Sequence, residues 1–260
     1  MKLLSILRIK DEIRNIEACL SKLSELSDEI IVLDNGSADG TLGVYPQFRK
    51  IVKILETRGY DEGRDKCWLL AEAKKRNPDW ILWIDADEVF EKNFNRQEID
   101  RYMNSKYSRI TFRMLSFWLD KEHCKIDGHY FLYTLHPQRS MWRNQPGTYF
   151  FNKKLHNGDI RGVTGKSFLS PYRLKHYGYS DKEKIKEKFE RYLKEDQTGK
   201  RNYYNLINPE DSFKAIKFRE FDSPFWNKTY IVAFKYLGNL LWLFLRVWLK
   251  IKKLLKLEEN

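Results

Sequence analysis

Four short apolar runs, separated by stretches with helical spacing, restrict this chain more than any other feature. "LLSILRI", "EIIVLD", "IVKILET" and "WILWID" hold too few polar residues to alternate, so each reads as a strand buried on both faces. Strands of that kind belong to parallel sheets covered by helices on either side. Between them, Ile13, Ile16, Leu20 and Leu23 recur at helical spacing, and "RDKCWLLAEAKKRN" reads as a helix that stops before Pro78. The pattern predicts an α/β fold with a doubly wound, mostly parallel sheet and helices on both faces. In such sheets ligands bind where the carboxyl ends of the strands release their loops. Those ends carry Arg8 and Lys10, then "DNGSADG", then "TRGYDEGR", and finally "DADE". All four polar clusters are expected along one edge.

With 260 residues, 42% of them hydrophobic, the chain has enough apolar surface for a full core. Its net charge of +12 favours anionic partners, a description that nucleic acid, phosphorylated small molecules and an acidic membrane face all meet. Cys19, Cys67 and Cys124 are far apart and form no CxxC pair, which argues against a disulfide framework or a zinc site and for a reducing cytosol. The short apolar run after Lys2 meets charge again at Arg8, with no small-residue cleavage site, so no signal peptide is expected.

After about residue 108 the alternation gives way to aromatic-rich, basic sequence, expected to form irregular strands and long loops. "SDKEKIKEKFERYLKED" restores a helix, with Ser180 and Glu183 as a capping box and Ile185, Phe189, Tyr192 and Leu193 as an apolar stripe. From Ser223 the composition turns to Trp, Leu and Phe, yet the longest uncharged run, Tyr236 to Leu245, is too short to span a bilayer. Lys228, Lys235, Asn239, Arg246, Lys250 and Lys253 fall along one helical face. The chain thus divides into 1–110, 111–222 as the other half of the same domain, and a basic amphipathic helical tail over 223–260.

Asp85 and Asp87 stand just past an apolar strand, where both carboxylates can turn toward one ion. Mg²⁺ and Mn²⁺ take oxygen ligands, and a protein commonly gives them one or two carboxylates while phosphates and water complete the shell. The plainer alternative is a helix start, with Asp87 and Glu88 favouring the helix dipole. In "LDNGSADGT", Asp34 can accept hydrogen bonds from a ribose or base edge, while Asn35-Gly36 and Asp39-Gly40 permit tight turns. A turn alone would explain it as well.

Taken together, "RIKDEIRNI", "DEIIVLDNGSADGT" and "DWILWIDADE" resemble family 2 of the glycosyltransferases, which have the GT-A fold, over Leu3 to about Phe90. The resemblance implies that 1–110 binds a nucleotide sugar and 111–222 faces the acceptor. It places Arg8, Lys10 and Glu12 in the first loop and Asp34 and Asn35 in the second on the nucleotide, and Arg64 near the diphosphate. It has Asp85 and Asp87 hold Mg²⁺ or Mn²⁺, with Asp85 alternatively touching the ribose or reaching the metal through water. The family's usual Pro-Thr-Tyr-Asn-Glu is Arg8-Ile9-Lys10-Asp11-Glu12 here, and the added cations suit a diphosphate. "LKHYGYS" is similar to a segment in a subset of the family; other GT-A families close the metal shell with a late histidine, which makes His176 either a third ligand or a structural histidine. The base that inverting transfer needs falls to His156, next to Asn157, or to Asp159, with Asp127 competing. Phe117, Trp118, Tyr130, Tyr133 and Trp142 either stack on an acceptor sugar or fill the core.

The expected activity is therefore metal-dependent, inverting transfer from a nucleotide sugar, a UDP-sugar before others, to a glycan or lipid-linked acceptor in cell-envelope polysaccharide synthesis. The tail either docks on the parent domain as an amphipathic helix or, as its lysines and tryptophans favour, meets an anionic membrane surface, so the chain is expected in the cytoplasm, peripheral on the inner membrane face. Nucleic acid is not expected, because the lysines gather in the tail and no recognised nucleic-acid motif is present. Two other classes compete. "WIDADEV" also fits the first motif of haloacid-dehalogenase-like phosphatases, although three strands precede it and no Gly-Asp-Gly-x-x-Asp follows. A catalytically inactive relative that binds a nucleotide sugar or a membrane stays open while the base is unassigned.

Overall fold

Strand β1 (Leu3–Ile9) is buried along nearly its whole length because it has a parallel neighbour on each side, β2 (Glu29–Asp34) and β4 (Trp80–Trp83). β3 (Ile51–Glu56) extends this parallel half at the edge, giving the order β3-β2-β1-β4. Successive side chains of a strand point to opposite faces, and both faces are covered. Leu3, Leu7, Ile30, Val32 and Leu82 pack under α1 (Ile16–Leu26), and Leu4, Ile6, Ile31, Leu33 and Ile81 under α2 (Glu62–Lys75). The computed structural model describes residues 1–125, 139–154, 158–195 and 215–218, together with 240, 243, 244 and 247.

Local signals set most helix ends. The Asp61 carboxylate accepts the Arg64 amide and opens α2, and Asn95 does the same for α3 (Arg96–Met103) through the Glu98 amide. Helix α1 starts later than the spacing suggests. Ile13 lies in the loop before it, exposed, with its amide donated to Asp39.

Beyond β4 the sheet changes character. β5 (Glu88–Phe90) runs antiparallel to β9 (Ser167–Tyr179), while β6 (Arg109–Trp118) lies parallel to β9 and antiparallel to β7 (His123–Lys125) and β8 (Arg139–Arg143). β10 (Ala215–Lys217) pairs with β7, and β8 joins the two halves through β4. The doubly wound pattern therefore holds in the parallel half, and the whole sheet is mixed. Here the expectation of irregular strands is corrected, since β6 has 10 residues and β9 has 13. Their register shifts between Thr111 and Arg113 and again between Ser116 and Trp118. Such bulges break period-two alternation, which is why the sequence does not read as long strands.

Two further expectations change. Helix α4 (Lys182–Glu195) is capped by Asp181, whose carboxylate accepts the Glu183 and Lys184 amides, whereas the Ser180 hydroxyl donates to the Tyr177 carbonyl. On the same helix Ile185 is fully buried and Phe189 packs beside it, but Leu193 is exposed. Phe117, Trp118 and Trp142 have no exposed surface and belong to the core rather than to an acceptor site. Tyr130 and Tyr133 lie outside the described residues.

Of the tail over 223–260, the four described residues, Leu240, Leu243, Phe244 and Val247, are helical and exposed. No helix among the described residues is long and apolar enough to cross a membrane. For the core, Leu20→Ala on the buried face of α1 should lower unfolding free energy by ~2–5 kcal/mol, read from the urea midpoint, because the cavity cannot fully collapse. A loss under about 1 kcal/mol would contradict this packing.

Candidate active site

The carboxyl ends of β1, β2 and β3 are tied to α2 through one buried acid. Asp65 has no exposed surface, and it accepts the Asn35 amide at 2.9 Å and the Arg64 Nε at 2.8 Å, with Arg8 Nη1 3.8 Å away. Arg8 is the least buried residue of β1. Its guanidinium lies 4.5 Å from the centre of the Tyr60 ring and donates to the Tyr60 hydroxyl at 3.2 Å. Burial works against its charge, but Tyr60 and Asp85 outweigh that and hold its pKa above the ordinary arginine value. Arg64 braces the loop after β3, donating to Thr57 Oγ1 at 2.5 Å and to the Gly59 carbonyl at 3.2 Å.

Asp34, the last residue of β2, is buried, and its carboxylate accepts the Ser37 amide at 2.6 Å and the Tyr45 hydroxyl at 2.5 Å. It lines a cavity of about 310 Å³ with Gly36, Leu42, Glu56, Thr57 and Arg58. The first loop latches onto the second: Lys10 Nζ donates to the Gly36 carbonyl at 2.5 Å, and the Asp11 carboxylate accepts the Ala38 amide at 2.7 Å. Gly36 has φ +77°, a conformation that side-chain-bearing residues rarely adopt.

After β4 the chain turns and re-enters the sheet as β5, so "DADE" does not open a helix, and the helix-start alternative for Asp87 and Glu88 falls. Glu88 is the first residue of β5 and is fully buried. Its carboxylate accepts Arg139 Nε at 2.8 Å and the Asp85 amide at 2.9 Å. Burial pushes its pKa up to about 7 even though Arg139 opposes the rise. Arg139 also pairs with the Asp85 carboxylate. Burial would raise the Asp85 pKa as well, but Arg139 outweighs it and the net shift is downward.

Asp87 stands deeper. Lys188 of α4 places Nζ 2.8 Å from its Oδ2, and His176 Nε2 lies 3.4 Å from the same oxygen. Burial alone would neutralise this carboxyl; Lys188 and His176 instead hold its pKa well below the usual range. The β5–β9 ladder sets Glu88 opposite His176, and the Tyr177 amide donates to the Asp87 carbonyl at 2.8 Å. Gly178 is what lets these groups meet, since a Cβ there would stand closer than 3.0 Å to Lys188 Nζ, Asp87 Oδ2 and His176 Nε2. One ligand atom from each of Asp87, Glu88 and His176 lies within 4.8 Å of the others. His176 Nδ1 is buried with no hydrogen-bond partner among the described residues. Glu12 borders this cluster, its pKa raised by burial and by Asp87.

The four loop clusters thus meet on one edge, bringing together Arg8, Lys10, Glu12, Asp34, Asn35, Arg64, Asp85, Asp87 and His176. The three groups whose ligand atoms come together are Asp87, Glu88 and His176, and Arg139 pairs with Asp85 and Glu88 alike. Asp159 accepts Arg109 Nη2 at 2.7 Å, the Ser140 hydroxyl and the Ile160 amide at 2.8 Å. His156, Asn157 and Asp127 lie outside the described residues. Sequence inspection missed Arg139, Lys188 and Gly178 altogether. Each left a signal: an arginine in the apolar run "RSMW", a lysine three positions after buried Ile185, and a glycine inside a strand, which marks a close approach.

The parallel half-sheet thus gathers a cavity, buried cations and the Asp-Ala-Asp turn along its carboxyl edge. The model of glycosyl transferase family 2 matches residues 6–168, more than half of the chain, and the chain belongs to that family. This sets aside the phosphatase alternative. An uncharacterized protein of Mycobacterium tuberculosis is 24% identical over 218 residues, covering 78% of this chain and 53% of its own length. An uncharacterized glycosyltransferase of Rickettsia bellii is 31% identical over 110 residues, 39% of this chain and 36% of the relative. The chain spans about half, or less, of the length of the curated relatives it matches. Among solved structures, S. aureus TarS 1–349 in complex with UDP aligns with a TM-score of 0.45 and 17% identity, over 71% of this chain and 63% of that one.

The buried Glu88 has a pH consequence. A carboxyl raised from 4.5 to about 7 binds more protons folded than unfolded in that window, so its contribution to stability is present at low pH and is lost as pH rises through 7. Glu88→Gln cannot ionise. Without added divalent ions, its urea stability should fall less between pH 5 and 7.5 than that of the unsubstituted protein, by roughly 1–3 kcal/mol. Equal slopes would contradict the buried placement of Glu88.

Proposed function

We propose that this chain transfers a glycosyl group, with inversion and with a divalent metal, from a nucleoside diphosphate sugar to a hydroxyl of a glycan or lipid-linked acceptor in cell-envelope polysaccharide synthesis. A UDP-sugar is the first donor to test. The observation that carries this is the buried set Asp87, Glu88 and His176, its ligand atoms within 4.8 Å of one another, on the same sheet edge as the Asp34 cavity. The set fits Mg²⁺ or Mn²⁺: two carboxylates supply hard oxygens, and the imidazole suits Mn²⁺. When bound, such an ion offsets the charge that develops on the departing nucleoside diphosphate.

The remaining roles belong to the chain itself. Asp34 and Asn35 hold the nucleoside at the cavity, with Asp85 beside the ribose. Arg8 and Lys10 face the diphosphate; Arg8 stays charged despite its burial, so it offers fixed positive charge where water is scarce. Arg64 and Glu12 brace the loops around them. The acceptor hydroxyl gives its proton to His156 rather than to Asp159, which already serves Arg109 and Ser140; Asp127 is the remaining competitor. The exposed residues Leu240, Leu243, Phe244 and Val247 recur at helical spacing among the tail's lysines, which supports docking on the anionic cytoplasmic face of a membrane.

Release of nucleoside diphosphate from a panel of UDP-, GDP- and dTDP-sugars with Mn²⁺ tests this function. Asp87→Asn should lower turnover about 10²–10³-fold with an unchanged circular-dichroism spectrum. Full turnover by that variant, or no turnover of any donor by the unsubstituted chain, would sink the proposal. For the base, His156→Ala should cost about 10²–10⁴-fold in kcat at little cost in donor affinity. Should Asp159→Asn show that loss instead, the proton acceptor is Asp159.

A further inference from the structure

The carboxylates of the metal set are already neutralised. Arg139 stands on Asp85 and Glu88, and Lys188 stands on Asp87. Lys188 is unusual among them in its position. Its ammonium is buried, lies 2.8 Å from Asp87 Oδ2, and crowds the same point beside Gly178 as that oxygen and His176 Nε2. A divalent ion held by Asp87 and His176 would draw on the same Oδ2 that the ammonium now holds and that faces His176 Nε2. Two cations a few ångströms apart in a buried site repel strongly, so the ion and the ammonium cannot both keep these positions.

We propose that Lys188 is the site's own cation, which Asp87 exchanges for the divalent metal, and that the released ammonium turns to the donor's diphosphate. This rests on the metal-dependent function proposed above.

The surroundings suit an exchange. The lysine reaches Asp87 from α4 on a flexible four-carbon stem, so Nζ can leave by a change of rotamer while the helix stays docked. That docking has its own contacts: Arg14 pairs with Asp181 and Glu183, Lys184 Nζ donates to the Asp11 carbonyl at 2.6 Å, and Ile185 packs on Trp118. Asp11 belongs to the first loop, between Lys10 and Glu12, so α4 spans the first loop and the DxD turn. Without metal the ammonium keeps a buried carboxylate charged; with metal and donor it meets the two phosphates that arrive with them. Metal binding and diphosphate binding would then be coupled through one side chain.

The test begins with Mn²⁺ alone, titrated into the full chain and followed by electron paramagnetic resonance and calorimetry. Lys188→Met and Lys188→Gln remove the competing charge, and both should bind Mn²⁺ roughly tenfold or more tightly than the unsubstituted chain. With Mn²⁺ saturating, both should bind uridine diphosphate roughly tenfold or more weakly. Thermal unfolding identifies any variant that has lost its fold, and two substitutions keep one such loss from deciding the matter. Unchanged or weaker Mn²⁺ binding in folded variants would overturn the exchange. Tighter Mn²⁺ binding with unchanged uridine diphosphate affinity would overturn the second half. A failure of glycosyl transfer itself would appear separately, as an absence of donor turnover in the unsubstituted chain, since the Mn²⁺ titration needs no donor.

Discussion

A carboxylate buried at Asp87 stays charged only if cations stand next to it, and the second half of the chain is arranged to bring them there. β5 pairs with β9 and sets Glu88 opposite His176, Gly178 opens the space beside them, and α4 delivers Lys188. Removing a partner from such a cluster would leave an uncompensated charge in a low-dielectric site, which costs far more than a surface ion pair contributes. The turn after β4 is therefore fixed by residues about ninety to a hundred positions further along. The parallel half-sheet supplies the platform, and the mixed half together with α4 supplies the charge balance.

This division explains which parts could be read from the sequence. β1, β2, β3 and β4 are short apolar runs whose burial follows from local composition, and Arg8, Asp34, Arg64 and Asp87 stand in order at or just beyond their carboxyl ends. Nothing local distinguishes "DADEVF" from a helix start, because two acids after a turn favour either. Only pairing with β9 decides it. The lengths of β6 and β9 were hidden by two register shifts, and the cap of α4 moved from Ser180 to Asp181 because the Ser180 hydroxyl is committed to the Tyr177 carbonyl. Arg139 and Lys188 were missed for a related reason. A cation in an apolar pattern reads as a solvated break until the buried acid that needs it is in view.

As a member of glycosyl transferase family 2, the chain combines two kinds of polar group at one edge. Asp34 and Asp65 each accept two hydrogen bonds that hold the end of β2 and the start of α2 in place beside the cavity. Around Asp85, Asp87 and Glu88, acids and cations balance closely, so under the proposed function an arriving diphosphate and metal would change the partners of each. The first arrangement favours a fixed pocket, and the second favours exchange.

The most direct measurement is anomalous diffraction from a crystal of the chain grown with Mn²⁺ and uridine diphosphate. The expected result is one strong manganese peak among Asp87, Glu88 and His176, with the nucleoside in the cavity beside Asp34. A manganese peak elsewhere, with Lys188 still seated on Asp87 and the nucleotide bound, would contradict a metal site at this turn.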